Sequence, residues 1–403
     1  MKKKIFKKRL SSKLVFILIL ALVAFNSFSV SLAIADDGST IYDISTEVGD
    51  IMDNLDTSDI DELLKQFSSE ELSVFGFENI KDKLMSLIAG GEGIDFGSFL
   101  GYTVSVFASK INNFIPFIVS ILAVCILFSL INAIKGKFAS QSTEAIVRMA
   151  CISLVTVIVF AQIINLVTAS KGLIDFLKKQ MDSFFPILLT LMTAIGSSRT
   201  VAVYQPAIAV LSSAVTNIIT VFALPCFLLS IVFHVVGNLS EGIKLKTMAE
   251  FFSGAMKWVL GTAFFIFLAV LSIQGITASI YDNIYIRTTK LALSRYVPII
   301  GGYLSEGYNL VISGSVLIKN GIGLSGIIIL FLSVLPLVAQ ILMFSLSLKL
   351  IAAICEPLGS KGVCDILTGI SKSVSALIAI ILGFTFLYFI FLLLIVCTGN
   401  LVI

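Results

Sequence analysis

The sequence predicts an all-α protein that crosses a membrane several times, and three observations predict this class. Apolar residues make up 57% of the 403 residues, charged residues make up only 13%, and the mean hydropathy is +1.04. From about residue 111 to the C-terminus, apolar stretches recur at about the 20-residue length that crosses a bilayer as a helix. A water-soluble core cannot absorb that much apolar sequence, so lipid is the solvent for most of this chain.

The N-terminus has the pattern of a secretory signal peptide over residues 1–35. The first 13 residues hold seven basic side chains and no acidic one, and a long apolar run follows. An A-x-A cleavage site then falls at Ala33 and Ala35, ahead of two aspartates. The alternative is an uncleaved signal anchor, because the apolar run is somewhat long. In either case the residues that follow begin outside the cytoplasm.

Residues 36–110 form an acidic exported block. Its first part, residues 36–95, holds 16 acidic and three basic side chains, a net charge of −13. Apolar residues recur there at helical spacing, as at Ile60, Leu63 and Phe67, which predicts short amphipathic helices. A domain this small without disulfides has only marginal stability on its own. We therefore expect its apolar face to dock on the membrane domain or on a partner. The alternative is a solvated acidic linker with transient helices.

Residues 111–403 form the membrane domain, with about seven predicted spans. The apolar stretches run approximately over residues 114–134, 149–169, 184–196, 201–236, 258–278, 297–318, 324–354 and 374–398. The third is too short to cross as a helix and is a candidate re-entrant half-helix. The fourth is too long for one simple span, which predicts a tilted helix kinked at Pro225 or two broken segments.

Charge alone does not fix the orientation of these spans. From residue 100 onward there are 18 basic and nine acidic side chains. Lys135, Lys137 and Arg148 follow the first span, and we expect them in the cytoplasm. Nearly every later loop is also basic, however, and these loops cannot all be cytoplasmic. The bases are dispersed rather than clustered on one soluble face, so nucleic acid is excluded as a partner.

The prolines of the membrane domain suggest an internal repeat. Pro186 precedes Pro225 by 39 residues, and Pro298 precedes Pro336 by 38. The two repeat units would cover residues 184–278 and 296–398. Paired, proline-interrupted segments are typical of transporter repeats whose broken helices surround a central site. The alternative is chance recurrence in an apolar sequence of low diversity.

Four ionisable side chains in or beside apolar stretches are candidate functional residues, namely Arg199, His234, Lys349 and Glu356. Each also has a structural interpretation. Arg199 can anchor a loop at the interface, His234 can be hydrogen-bonded at a span end, and Lys349 can extend its ammonium to the headgroups. Glu356 precedes a proline that ends its span.

Catalysis and cofactor binding have no support in the sequence. The six cysteines all lie in or beside apolar spans and none lies in the exported block, so no disulfide framework is predicted. Their spacing suggests no metal site, and a buried thiol acts as a small apolar side chain. No phosphate-binding loop, zinc-protease motif or nucleophile elbow occurs. We therefore expect no enzyme activity, no metal and no cofactor.

The segment RYVPIIGGYLSEGYNLVISGSVLIKNGIG, residues 295–323, resembles the signature region of the stage III sporulation protein AE family of endospore-forming bacteria. The similarity is carried by Pro298, Gly301, Gly302, Ser313 and Lys319. The EPLG and ISKSVSAL stretches nearer the C-terminus, the signal peptide and the acidic block are also similar to that family.

This resemblance implies a non-enzymatic protein of the mother-cell membrane that surrounds the forespore, with its N-terminal domain extracytoplasmic. It implies a channel or secretion-like complex, required for spore development, with other stage III sporulation A-group membrane proteins and, through them, a forespore-side partner. Two alternatives come from the residues themselves. One is an autonomous secondary transporter of a small solute, and the other is a purely structural membrane anchor.

Overall fold

The computed structural model describes residues 57–68, 71–72, 96–135, 141–239, 245–296, 301–358 and 361–398. The described part of the chain is helical and contains no strand, so the predicted all-α polytopic class is confirmed. The signal peptide with Ala33 and Ala35 lies outside the described residues, and so does Pro298.

Eight α-helices are described. They are α1 Ser58–Leu64, α2 Phe96–Lys135, α3 Gln141–Ala194, α4 Ser198–Ala209, α5 Leu224–Leu239, α6 Lys246–Tyr296, α7 Gly301–Cys355 and α8 Lys361–Cys397. Between α4 and α5 the chain stays helical through two π-helical segments, Val210–Val215 and Ile218–Ala223. These wider turns precede Pro225, which has no N–H to donate within a regular helix. The sequence predicted a kinked or broken helix over residues 201–236, and the structure has these π-helical turns there.

Six helical stretches among the described residues are long and apolar enough to cross a membrane, against about seven predicted from the sequence. They cover residues 97–131, 146–194, 198–238, 246–272, 311–355 and 362–397. The number is lower because α3 and α7 each join two predicted stretches. No helix-stopping sequence lies between the joined stretches, and the charged residues from Lys171 to Lys179 fit the exposed face of a continuous helix.

Residues 184–196, predicted to be re-entrant, are the last part of α3 and the turn that ends it. Gly196 has φ 92°, a left-handed conformation that glycine adopts without strain. Its N–H bonds to the carbonyl of Thr193 at 2.9 Å, and the N–H of Ser197 bonds to that of Met192 at 2.9 Å. This pair of bonds is a Schellman motif, so glycine chemistry ends α3 here.

The core of the bundle is the antiparallel pair α7–α8. Their neighbouring residues are Lys319 with Thr398, Gly326 with Leu392, Phe331 with Phe389 and Ser345 with Ser371. Helix α3 runs antiparallel to α7, because Gln180 donates to the carbonyl of Gly326 at 2.8 Å and Ile195 packs with Ile312. Helix α2 packs beside them, and α5 and α6 form a second antiparallel pair.

The bundle therefore has two different ends. The last turns of α2, α5 and α7 and the first turns of α3, α6 and α8 lie together at one end, which we call the short-loop end; there Ile152 of α3 packs on Gly362 of α8. At the other end α8 finishes beside Lys319, while α6 and α7 continue outward. We call residues 283–296 of α6 and 301–318 of α7 the arm. The arm residues of α7 extend about 27 Å past Lys319, at 1.5 Å per residue.

Candidate functional site: a buried polar network at the base of the arm

Lys319 is a fully buried lysine in the middle of α7, with 0% of its surface exposed. Its ammonium donates a hydrogen bond to the backbone carbonyl of Thr398, immediately after α8 ends. The last carbonyls of a helix have no partner within the helix and carry partial negative charge. Lys319 therefore stabilises the C-terminal end of α8 and joins it to α7.

The side chain of Thr398 extends this contact to α4. Its hydroxyl donates to the carbonyl of Leu394 at 2.7 Å. The buried hydroxyl of Tyr204 lies 3.3 Å from the same threonine oxygen. Because the only hydroxyl proton of Thr398 is directed to Leu394, Tyr204 is the donor in this pair. The end of α8 is thus held from two sides, by α7 and by α4.

Asp282 of α6 caps the N-terminus of α4. Its carboxylate accepts hydrogen bonds from the N–H of Arg199 at 3.1 Å and the N–H of Thr200 at 2.9 Å, and from the Thr200 hydroxyl at 2.6 Å. Ser197, at the N-cap position, makes no side-chain capping bond. A carboxylate from another helix therefore takes the place of a local cap, and its charge is favourable at a helix N-terminus.

These contacts form one network, because Thr200 and Tyr204 lie one turn apart on the same face of α4. The network runs from Asp282 through Thr200, Tyr204 and Thr398 to Lys319. It has a buried anion at one end and a buried cation at the other, each placed at the helix terminus that its charge stabilises. It fixes the relative positions of α4, α6, α7 and α8.

The network lies at the edge of the apolar surface. The apolar stretch of α6 ends at about residue 278 in the sequence, and Asp282 lies about 6 Å further along the helix at 1.5 Å per residue. The arm continues outward from that level. The network therefore stabilises the base of the arm, and on α6 it lies just past the apolar stretch.

The structure places the residues singled out from the sequence at separate levels of the bundle. Lys319 belongs to the network, Ser313 lies half-buried in the arm, and Gly301 and Gly302 form the first turn of α7. The Arg199 side chain is exposed, and its backbone N–H donates to Asp282. Lys349 and Glu356 are exposed near the short-loop end, with Glu356 just after the last residue of α7.

His234 has a packing role in this structure. Its half-buried imidazole lies against Gly369 of α8, where a Cβ atom would overlap the ring. The backbone of Asp365 is within hydrogen-bonding range of the ring, and Nε2 is buried with no hydrogen-bond partner among the described residues. The four ionisable candidates therefore do not form one site.

Four of the six cysteines converge near the short-loop end, although they come from four different helices. The thiols of Cys125 and Cys355 lie close to each other, and Cys151 and Cys364 lie near Cys355. All four are free thiols. Across the described ranges, no three His, Cys, Asp or Glu side chains are arranged to hold a metal ion.

Sequence reasoning missed Asp282, Thr200, Tyr204 and Thr398. Asp282 did carry a signal, because it is the only acidic residue between Glu250 and Glu306. Its partner Thr200 lies 82 residues away, and no periodicity in the sequence connects the two. The Lys319–Thr398 contact joins positions 79 residues apart, and no pattern in the sequence predicted it either.

Fold and site together define a polytopic helical membrane protein whose buried charges stabilise helix ends. Residues 78–399, which include all the helices from α2 to α8, match the family model described as stage III sporulation protein AE. The chain belongs to this family. It is 30% identical over 279 residues to the stage III sporulation protein AE of Bacillus subtilis (strain 168), an alignment that covers 69% of each chain. No solved structure matches the chain. Family membership supports a role in sporulation.

Proposed function

We propose that this chain is a non-enzymatic membrane component of a channel or secretion-like complex that connects the mother cell and the forespore and is required for spore development. The family match over residues 78–399 supports the sporulation role. The observation that carries the rest is the buried network, in which Asp282 and Lys319 hold helix ends together below the arm. Charges used in this way build a rigid platform.

The partners that we propose are other stage III sporulation A-group membrane proteins and, through them, a forespore-side partner. The acidic exported block is the candidate docking element. The turn after its helix α1 packs on the bundle through Phe67, whose ring lies edge-on to that of Phe176 at 5.7 Å. Tyr102 donates to Glu71 at 3.1 Å. These contacts hold the block against α2 and α3, and the acidic side chains Asp59 and Glu62 of α1 are exposed.

We further propose that the short-loop end faces the mother-cell cytoplasm and that the exported block faces the intermembrane space. Nearly every loop is basic in the sequence. The helix ends that flank the α2–α3, α5–α6 and α7–α8 connections all lie at the short-loop end of the bundle. The bases in or beside them are Lys135, Lys137, Arg148, Lys244, Lys246 and Lys361. Basic residues flanking spans favour the cytoplasmic side. Phe176, which contacts the exported block, lies among the exposed charges of α3 and far along that helix from its short-loop end.

An autonomous secondary transporter is a second candidate, and one observation favours it. The two π-helical segments lie within a membrane-compatible stretch, and such turns are often found at functional sites. Thr216 Oγ1 and Tyr388 OH are buried with no hydrogen-bond partner among the described residues. Buried polar atoms of this kind suit a hydrated path through a bundle.

The proposal is tested by affinity isolation of a C-terminally tagged chain from sporulating cells in mild detergent, with co-isolated proteins identified by mass spectrometry. We expect recovery with other stage III sporulation A-group proteins, above the level obtained with a tagged unrelated protein of the same membrane. Recovery of the chain alone would contradict the complex and favour the transporter.

A second experiment separates the two candidates at the residue level. Arg199, His234, Lys349 and Glu356 are replaced together by neutral residues of similar shape. We expect normal assembly and sporulation, because these side chains lie at separate levels of the bundle and do not form one site. Loss of sporulation with normal assembly would instead support an ion-coupled transporter.

A further inference from the structure

The arm presents apolar side chains beyond the membrane-compatible part of its helix. Ile284, Tyr285 and Leu291 of α6 are exposed by 58%, 63% and 54%. All three lie past about residue 278, where the apolar stretch of α6 ends in the sequence. Exposed apolar side chains grouped outside a bilayer, and surrounded by polar residues, mark an interaction surface.

Only one face of this helix is open. Ile286 has 0% of its surface exposed and packs with Ile195, Ile312 and Val316, which attaches the arm residues of α6 to α7 and to the end of α3. Ile284, Arg287 and Leu291 follow the i, i+3, i+7 spacing of one helix face and are all exposed. We call this surface, together with Tyr285, the arm face.

The arm segment of α6 is basic in its sequence, and its exposed residue Arg287 lies on the arm face. Residues 283–296 contain Arg287, Lys290 and Arg295 and no acidic residue. A partner that matches this surface has apolar side chains at helical spacing and an excess of carboxylates. The exported block of this same chain has both properties, with a net charge of −13 over residues 36–95 and recurrent apolar residues.

The chain's own helix α1 is held away from the arm face. It packs beside Phe176, and Phe176 is about 28 Å along α3 from Ile195, at 1.5 Å per residue. Ile195, in the turn that ends α3, packs with the arm. On α1 itself, Asp59 and Glu62 are exposed, whereas Ile60, Leu63 and Leu64 are buried. One chain thus displays a basic surface and an acidic surface at two separate places.

We propose that the arm face binds the acidic exported block of a second copy of this chain. The two surfaces differ, so the contact is heterologous and runs head to tail, and it closes into a ring or continues as a row of copies. The exposed apolar side chains supply the affinity, while the opposite charges set the register and speed encounter. The inference goes beyond the proposed function, because it requires no other sporulation protein.

The test uses two copies of the full chain with different tags, expressed together without other sporulation proteins and solubilised in mild detergent. In the arm-reversed variant, Arg287→Glu, Lys290→Glu and Arg295→Glu are combined. When both copies carry these changes, we expect about tenfold less co-isolation than between wild-type copies. When only one copy carries them, we expect an intermediate value, because one of the two head-to-tail pairings survives.

Two further variants complete the design. Asp59→Lys with Glu62→Lys weakens the same contact from the acidic side. Lys246→Glu with Lys349→Glu is the matched control, because it reverses exposed charges near the short-loop end, away from both the arm and the exported block, and we expect wild-type co-isolation. Wild-type co-isolation by the arm-reversed pair, or no co-isolation of wild-type copies, overturns the proposal.

A photo-crosslinking amino acid in place of Tyr285 gives an answer that does not depend on charge reversal or on how well the triple variant folds. We expect a crosslink to residues of the exported block in a copy with the other tag. A crosslink within the same chain, or to a different surface of the second copy, overturns the proposal. Because only this chain is present, a negative result in this experiment contradicts the contact between copies and leaves the proposed function untouched. A negative result in the isolation from sporulating cells contradicts the proposed function instead.

Discussion

The central pair α7–α8 and the outer helices α2 and α6 have similar sequences and very different surroundings. In their most apolar windows, 56% and 61% of the residues of α7 and α8 are buried, against 28% for α2 and 22% for α6. Serines join the central pair, as in the 3.0 Å contact between Ser345 and Ser371. The outer helices present Trp258 and Phe265, which are 72% and 73% exposed. In lipid, then, packing identifies the structural core and hydropathy does not.

The largest expected effect compares a glycine of the central helix α8 with a glycine of the outer helix α6. Gly369→Ala places a methyl group in the His234 ring, so the ring or the helix must move. We expect about 1–3 kcal/mol of destabilisation, the usual cost of overpacking. Gly254→Ala meets open space on α6, and we expect no loss or a small gain. Thermal unfolding in detergent measures both.

A double variant sharpens this comparison. If the His234 ring is the obstacle, adding Gly369→Ala to a chain that already carries His234→Ala will cost little stability. The same glycine change in the wild-type chain will cost much more. Equal melting temperatures for the Gly369→Ala and Gly254→Ala chains would contradict the difference between the central and outer helices.

The next effect concerns two lysines of α7. Lys319→Met keeps the length of the side chain but leaves the carbonyl of Thr398 without its buried donor. We expect about 1–3 kcal/mol of destabilisation, together with faster amide hydrogen exchange in the last turn of α8. Lys349→Met changes an exposed lysine and should stay within about 0.5 kcal/mol of wild type. Unchanged exchange at residues 394–398 in the Lys319 variant would contradict the capping role.

A smaller effect is expected from Asp282→Asn. The amide retains one acceptor oxygen but loses the charge that faces the N-terminus of α4 and cannot accept all three bonds. The expected cost is about 1 kcal/mol, with faster exchange at Arg199 and Thr200. Glu250→Gln, on the exposed face of the same helix, is the control. Equal effects of the two changes would exclude a specific cap.

The smallest effect is expected on the outer surface. Trp258→Leu and Phe265→Leu replace exposed side chains of α6 by another apolar residue. We expect changes within about 0.5 kcal/mol in detergent. A large loss from either variant would show that this face is packed in the protein, which would remove the contrast with the central pair.

The sequence predicted the class of fold, because lipid imposes a simple rule on long apolar stretches. It also drew attention to Lys319 through the family resemblance. It did not predict the number of spans, because α3 and α7 continue through charged or glycine-rich residues that only tertiary packing can assign to a helix. The network was hidden for a related reason: Asp282 and Thr200, like Lys319 and Thr398, meet only after the helices pack. The convergence of Cys125 with Cys355 is a further long-range contact of this kind.

The account depends most on the proposal that the short-loop end is cytoplasmic and the arm extracytoplasmic. Short epitopes inserted singly at residues 138, 242, 360 and 289 test it by antibody binding to intact and permeabilised protoplasts. The account predicts that the first three are detected only after permeabilisation, while the epitope at 289 is detected on intact protoplasts. Detection of any of the first three from outside, or of the epitope at 289 only from inside, would contradict it.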